Sequence, residues 1–294
     1  MEPDGRSPDS PRMSTTMALN IQTNIASLSG QINVARNQNA LMSSFQKLSS
    51  GYRVNSAADD AAGLAISESM KAQVRSYTVA QRNAADGISM AQTAEGALGE
   101  IHDVLGRMRE LGMQAANGSL SSTDRESVSK EFQSLQSEIG RIQGSTKFNG
   151  STLIDAGSAN PVKFQVGLGN DANDQISVDF SNVNLSDVIG GGTLVTGTDG
   201  TAAVAALATI DTAISTVSDA RSGFGAAMNR LTVATNNIQT MSLNLSAANS
   251  RIRDVDVASE TANMARNQVL TQAGVSVLAQ ANQIPQLAFG LIGK

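Results

Sequence analysis

Few residues in this chain are equipped for catalysis. It has no cysteine and a single histidine, His102, in 294 residues. Without thiols there is no disulfide framework, cysteine zinc site or thiol nucleophile. One imidazole cannot build a multi-histidine metal centre, and a triad at His102 would need a serine and a carboxylate brought to it. His102 therefore reads as a helix-surface residue. Asp171 and Asp174 could suggest calcium, but the spacing, glycine and glutamate of an EF-hand loop are missing around them. Gly167-Leu168-Gly169 and Gly190-Gly191-Gly192 lack the strand–helix context of a phosphate loop and read as turns. Thr193, Thr196, Thr198 and Thr201 could carry O-linked sugars, with unmodified threonine as the default. No cofactor and no metal are expected.

Composition extends these exclusions. Lys and Arg number 21 against 26 Asp and Glu, a net charge of −5, which argues against nucleic-acid binding by phosphate neutralisation. Hydrophobic residues make up 40%, much of it alanine, and aromatics only 3%. Aromatic side chains usually dominate core burial, so the expected packing is thin and helical. No apolar run approaches the roughly 18 residues that span a bilayer, and no membrane insertion is expected. Met1 to Thr16 carry three of the five prolines and no signal-peptide apolar stretch. This leader reads as a flexible tail or, preferably, a mis-called start ahead of Met17.

The elements come from periodicity. Ile21, Ile25, Leu28, Ile32, Ala35, Asn39 and Met42 alternate four- and three-residue steps, the seam of a helix packing on a helix, with Gly51 as its stop. Asn55 to Asp60 reads as a turn into a second helix. Its seam runs from Ile66 through Met70, Tyr77, Ala80, Ala84, Ala91, Ala94, Leu98, Ile101, Leu105 and Met108 to Ala115. That helix would approach 80 Å at about 1.5 Å per residue, and Asn117-Gly118 would end it in the left-handed region. Thr123-Asp124-Arg125-Glu126 has capping-box form and opens a helix with Val128, Phe132, Leu135, Ile139 and Ile142 on one face, closed by Asn149-Gly150.

Between Ser151 and Gly200 the period becomes two. Val162, Phe164, Val166 and Leu168, then Ile176, Val178 and Phe180, flank a Gly/Asn/Asp turn, predicting a β-hairpin followed by a surface loop. Helix returns with Leu207, Ile210, Ile214, Val217, Phe224, Met228, Leu231, Ile238 and Leu245. Arg221, Thr235, Ser242 and Asn249 are its polar exceptions, positions that set register and partner choice. A last seam, Leu270, Ala273, Val277, Ile284, Leu287 and Leu291, is interrupted by Pro285. The fold class is therefore mainly α: a long antiparallel helical bundle or coiled coil of N- and C-terminal segments with a small central β-hairpin insert. Amphipathic termini this apolar call for a partner, each other and neighbouring copies being the simplest.

Particular stretches carry a resemblance. Met17-Ala18-Leu19-Asn20-Ile21-Gln22-Thr23-Asn24 and the run from Leu48 to Ile66 (LSSGYRVNSAADDAAGLAI) resemble bacterial flagellin. So do Arg109-Glu110-Leu111, Ala116-Asn117-Gly118, Phe148-Asn149-Gly150, Ser250 to Asp256 (SRIRDVD) and Val277 to Gln283 (VLAQANQ). The resemblance extends from Met17 to Lys294, with several long motifs in order.

It implies a structural subunit, not an enzyme, that polymerises into the flagellar filament for swimming. Residues 17–58 with 252–294 would form an inner core, 59–149 with 201–251 an outer rod, and 150–200 a β-hairpin and loop without further outer domains. The expected assembly residues are Ile21, Ile25, Leu28, Ile32, Met42, Leu270, Val277, Ile284, Leu287 and Leu291, in termini that fold on assembly. Arg107, Arg109, Leu111 and Glu131 match an exposed patch contacted by a Toll-like receptor. Leu287, Leu291 and Ile292 match the tail sensed by NAIP receptors. Implied partners are further copies, an export chaperone, the flagellar type III export apparatus, and hook-associated junction and cap proteins. The implied location is extracellular. The nearest alternative is a hook–filament junction protein, which shares the terminal architecture. A flagellin-scaffold metalloprotease would need His-Glu-x-x-His, and a generic coiled-coil adhesin would show charged flanks and no β insert.

Overall fold

The computed structural model describes residues 23–154, 161–180, 183–190, 195 and 200–292, with side chains as far as Gln283. The leader, Ile21, Gly191, Gly192, Thr193, Thr196, Thr198 and the side chains of Ile284, Leu287, Leu291 and Ile292 lie outside the described residues. Among the described residues there are six α-helices, α1 (Ile25–Ser50), α2 (Ala61–Ala116), α3 (Ser122–Ser145), α4 (Ser186–Ile189), α5 (Thr201–Arg253) and α6 (Val257–Ile292), with two short hairpins between α3 and α4. These are β1 (Lys147–Phe148) with β2 (Ser151–Thr152), and β3 (Val162–Gln165) with β4 (Gln175–Val178), both antiparallel. The chain divides into two compact units, residues 1–65 with 251–294 and residues 66–250.

In the 66–250 unit the predicted seam of α2 from Ala80 to Ala115 is buried, and so are Ile210, Val217, Phe224, Leu231 and Ile238 of α5. Phe132 and Ile139 of α3 close the same core. Alanines fill much of α2's face, so aromatic bulk enters at few points. One is Phe180 against Phe224, with ring centroids 5.1 Å apart. The polar exceptions act as register pins. Arg221 donates to Glu95 at 2.8 and 3.1 Å, and the buried Ser67 hydroxyl donates to Asn249 Oδ1 at 2.7 Å. Thr235 instead donates back to the Leu231 carbonyl within α5.

Three predicted helix boundaries, one start and two stops, move. The capping box is Ser121 with Asp124, one turn's fragment earlier than Thr123-Glu126: Asp124 N–H donates to Ser121 Oγ, and Ser121 N–H to Asp124 Oδ2. Asn149-Gly150 does not close α3, which ends at Ser145. These residues, at φ 47° and 82°, form the two-residue turn of the β1–β2 hairpin, the conformation Asn-Gly is suited to. Asn117-Gly118 is not a left-handed stop either; neither residue has positive φ. There the buried Arg125 of α3 satisfies the end of α2, donating to the carbonyls of Ala115 and Asn117, each at 2.9 Å. A guanidinium near the negative end of a helix dipole is favourable and leaves no need for a glycine cap.

Two smaller differences concern α5 and α6. One 18-residue window of α5 has a mean hydropathy of 1.3, so by length and composition this helix could cross a membrane. Alanine raises the mean without any long run of bulky residues, and the large side chains of its inward face belong to the core. Helix α6 runs on to Ile292 across Pro285, the residue expected to interrupt its seam. Because Phe132 is fully buried, Phe132→Ala should cost about 3–5 kcal/mol in urea unfolding of the 66–250 unit, read by far-UV circular dichroism, while the exposed Lys130→Ala should change little.

Candidate assembly surface

The 1–65/251–294 unit is a helical hairpin in which α1 packs antiparallel to α6. Asn24 caps α1 by accepting from Ser27 N–H at 3.0 Å, and its Nδ2 donates to the Ala281 carbonyl at 2.9 Å. At the other end Arg53 N–H donates to the Arg253 carbonyl, Val255 N–H to the Gly51 carbonyl, and the Arg253 guanidinium lies 4.4 Å over the Tyr52 ring. Between these ties the axes come close. A Cβ on Gly30 would lie 2.9 Å from Leu278 Cδ1, and one on Gly274 would lie 2.8 Å from Val34 Cγ2. Both contacts are shorter than a side chain tolerates, so each glycine receives the facing residue of the other helix.

The face that makes this contact is not the apolar one. Along α1 the inward residues are Asn24, Ser27, Gly30, Val34, Asn37, Leu41, Ser44 and Leu48; along α6 they are Glu260, Met264, Asn267, Thr271, Gly274, Leu278 and Ala281. These step by three and four like the predicted seams but are mostly polar or small. The predicted seams face outward. Ile25 is 63% exposed, Leu28 54%, Ile32 47%, Met42 64%, Leu270 45% and Val277 59%. Phe45, Val257, Val269 and Val275 are exposed with them. Of the two partners expected for these seams, each other and neighbouring copies, the first is therefore corrected: the helices share a hairpin, but each seam is left exposed. A second run of three- and four-residue steps in small and polar residues was the available signal, and apolar weighting passed over it.

The turn entering α2 is tightly wired. Asp59 Oδ2 accepts from the N–H groups of Asn55 and Ser56 at 3.1 and 2.9 Å and from Ser56 Oγ at 3.1 Å. The Ser56 backbone donor, then that of Asn55, holds the Asp59 carboxyl below its ordinary value. Asp60 Oδ1 accepts from Gly63 N–H at 2.8 Å in the first turn of α2.

On the 66–250 unit, Arg107 donates to Glu131 at 2.8 and 3.1 Å and to Glu110 at 3.0 Å, and Arg109 donates to Asp211 at 2.6 Å. Glu131 and then Glu110 raise the Arg107 guanidinium's pKa, and Asp211 raises that of Arg109. These pairs are exposed and so add little stability. Leu111 departs from the expected patch. At 2% exposure it belongs to the core, because its position continues the Leu105–Met108–Ala115 face.

His102 is half-buried, and its Nδ1 has no hydrogen-bond partner among the described residues. No group of three potential metal ligands occurs among the described residues.

These features define a class: a mainly helical protein whose terminal hairpin leaves an apolar stripe uncovered among the described residues. A family model described as the bacterial flagellin N-terminal helical region matches residues 21–159, and one described as the bacterial flagellin C-terminal helical region matches residues 207–292. A flagellin of Halalkalibacterium halodurans is 43% identical, covering 92% of this chain and 99% of the relative. A flagellin of Bacillus subtilis is 39% identical, over 93% and 100%. The solved structure of a candidate hook-associated flagellar protein from Vibrio parahaemolyticus, 17% identical, covers 67% of this chain and 100% of that one at a TM-score of 0.56; it shares the fold. The chain belongs to the bacterial flagellin family, structural subunits of the flagellar filament, and the junction-protein alternative is not favoured.

The Asp59 carboxylate is stabilised in the folded turn. Its contribution is fully present above the unfolded-state pKa and is lost as pH falls through the lower folded-state value. Amide exchange at Asn55 and Ser56 should accelerate in that acid window in the wild type, and Asp59→Asn should already exchange fast at neutral pH.

Proposed function

We propose that the outward stripe of the α1/α6 hairpin is the surface through which this chain polymerises. Ile25, Leu28, Ile32, Met42, Leu270 and Val277 would pack against neighbouring copies, and Ile21, Ile284, Leu287 and Leu291 are proposed as assembly residues with them. One observation carries the reading: each helix has two stripes, and the hairpin uses the more polar one for itself. Exposed apolar patches of this kind mark protein interaction sites. Contacts of this type are head-to-tail and need not close, so growth gives an open helical polymer.

Residues 17–58 with 252–294 would form the filament core, 59–149 with 201–251 an outer rod, and 150–200 a β-hairpin and loop. The inward seam of Ser27, Asn37, Ser44, Asn267 and Thr271 supplies little apolar area. Ordering a backbone costs about 1–2 kcal/mol per residue, so the terminal helices would fold fully only when neighbours cover the other stripe, as coupled folding and binding. A loosely folded, cysteine-free chain also suits threading through the flagellar type III apparatus to the cell exterior with an export chaperone. The hook-associated junction and cap proteins would bind the same terminal surfaces at the filament ends. Arg107, Arg109 and Glu131 offer an exposed charged surface that a Toll-like receptor could contact, with Leu111 acting only from beneath it. The C-terminal tail at Leu287, Leu291 and Ile292 is the proposed contact for NAIP receptors.

Leu28→Asp and Val277→Asp each place a charge on the stripe without touching the inward seam. Sedimentation and negative-stain electron microscopy should show loss of long filaments, with the urea unfolding of the 66–250 unit unchanged. Wild-type polymer yield from both variants would reject the stripe as the assembly surface. The exposed Ser29→Asp, beside the stripe, should reduce yield less.

A further inference from the structure

The turn after α2 holds an arrangement that the proposed function leaves unexplained. From its geometry we infer that Asn117-Gly118 is a site of autocatalytic deamidation, promoted by Arg125.

Deamidation of an Asn-Gly pair begins when the glycine peptide nitrogen, as its amidate, attacks the asparagine side-chain carbonyl carbon. The Gly118 peptide proton passes to water, the Gly118 N–Asn117 Cγ bond forms, the Cγ–Nδ2 bond breaks, and Nδ2 takes a proton back from water and leaves as ammonia. Water then opens the succinimide at either carbonyl, giving aspartate or isoaspartate. The sum is asparagine plus water to an acid plus ammonia, with no other reactant.

Two barriers dominate, and the structure addresses both. The first is removal of the Gly118 peptide proton. The resulting charge spreads onto the Asn117 carbonyl oxygen, and there Arg125 already donates at 2.9 Å. Arg125 is buried at 2% exposure and is held in place by its second bond, to the Ala115 carbonyl at 2.9 Å. A fixed, desolvated guanidinium at a developing negative charge is the arrangement that stabilises such a state most. The second barrier is the tetrahedral oxyanion that forms on Asn117 Oδ1. Ser119 N–H donates to that oxygen at 3.1 Å, which polarises the carbonyl for attack. Asn117 and Gly118 are both exposed to water, and no acceptor takes the Gly118 N–H among the described residues.

Asn149-Gly150, the other Asn-Gly pair, is an internal control. Its residues sit in a strand-paired turn between Phe148 and Ser151. Closing the planar five-membered ring there requires the peptide to leave the turn geometry and break the pairing. No guanidinium is recorded at the Asn149 carbonyl among the described residues.

Folding therefore has opposite effects at the two sites. Full-length protein is incubated at neutral pH, folded and in denaturing urea, and the acid products at both asparagines are quantified by peptide mass spectrometry. A charge-assisted bond at the reacting group corresponds to about tenfold in rate. Asn117 should convert about that much faster folded than denatured, while Asn149 should convert more slowly folded than denatured. Arg125→Lys, which keeps the charge but loses the two-carbonyl fork, should lower the folded rate at Asn117 and leave Asn149 unchanged. If that variant does not fold, the wild-type comparison still decides the matter. Conversion at Asn117 no faster in the folded protein than in urea overturns the inference.

Discussion

The structure depends on a simple shortage: α1 and α6 each carry two packing stripes, and the described residues cover only one. The stripe it covers is built from serine, asparagine, threonine and glycine with a few aliphatic side chains. The glycines at 30 and 274 let the backbones approach, and backbone bonds donated by Val255 to Gly51 and by Arg53 to Arg253 clamp the base. The stripe left open holds the larger aliphatic residues. In a self-sufficient domain the order would be reversed, because apolar burial is the main favourable contribution to folding. The inversion makes sense for a subunit whose core is completed by copies of itself.

The 66–250 unit follows the opposite rule. Its apolar seams are satisfied internally, by α2 against α5 with α3 and the small hairpins closing the sides. Alanine along α2 keeps the packing thin, and polar pins such as Ser67–Asn249 and Arg221–Glu95 select one register among the many that a repetitive alanine face would accept. Arg125 does similar work at a chain reversal, satisfying α2's last carbonyls from within α3. One chain thus joins a unit that buries its own apolar surface to another that displays it.

The long helices were legible because their seams are long and their caps conventional. Ala80 to Ala115, the α5 register and the β3–β4 alternation all survive the comparison with three-dimensional packing. What the sequence hid was direction. A heptad seam says that a helix packs on something, and it does not say whether that something is in the same chain. In α1 and α6 two seams lie side by side, and hydrophobicity pointed to the one facing away from the intramolecular partner. Leu111 failed for a related reason: its neighbours Arg109 and Glu110 in sequence are exposed, but the helical period turns it into the core. Arg125 was invisible because a charged residue after a capping motif reads as surface, and only the fold brings the end of α2 to it. Asn149-Gly150 marked a reversal correctly but at the level of a hairpin instead of a helix end.

The claim at the centre of this account is that the hairpin is incomplete until neighbours cover its apolar stripe. Hydrogen–deuterium exchange resolved along α1 and α6, in the monomer and in the polymer, tests it most directly. The account predicts rapid exchange through both helices in the monomer and strong protection in the polymer, with α2 and α5 between residues 80 and 240 protected in both. Equal, strong protection of α1 and α6 in monomer and polymer would contradict it.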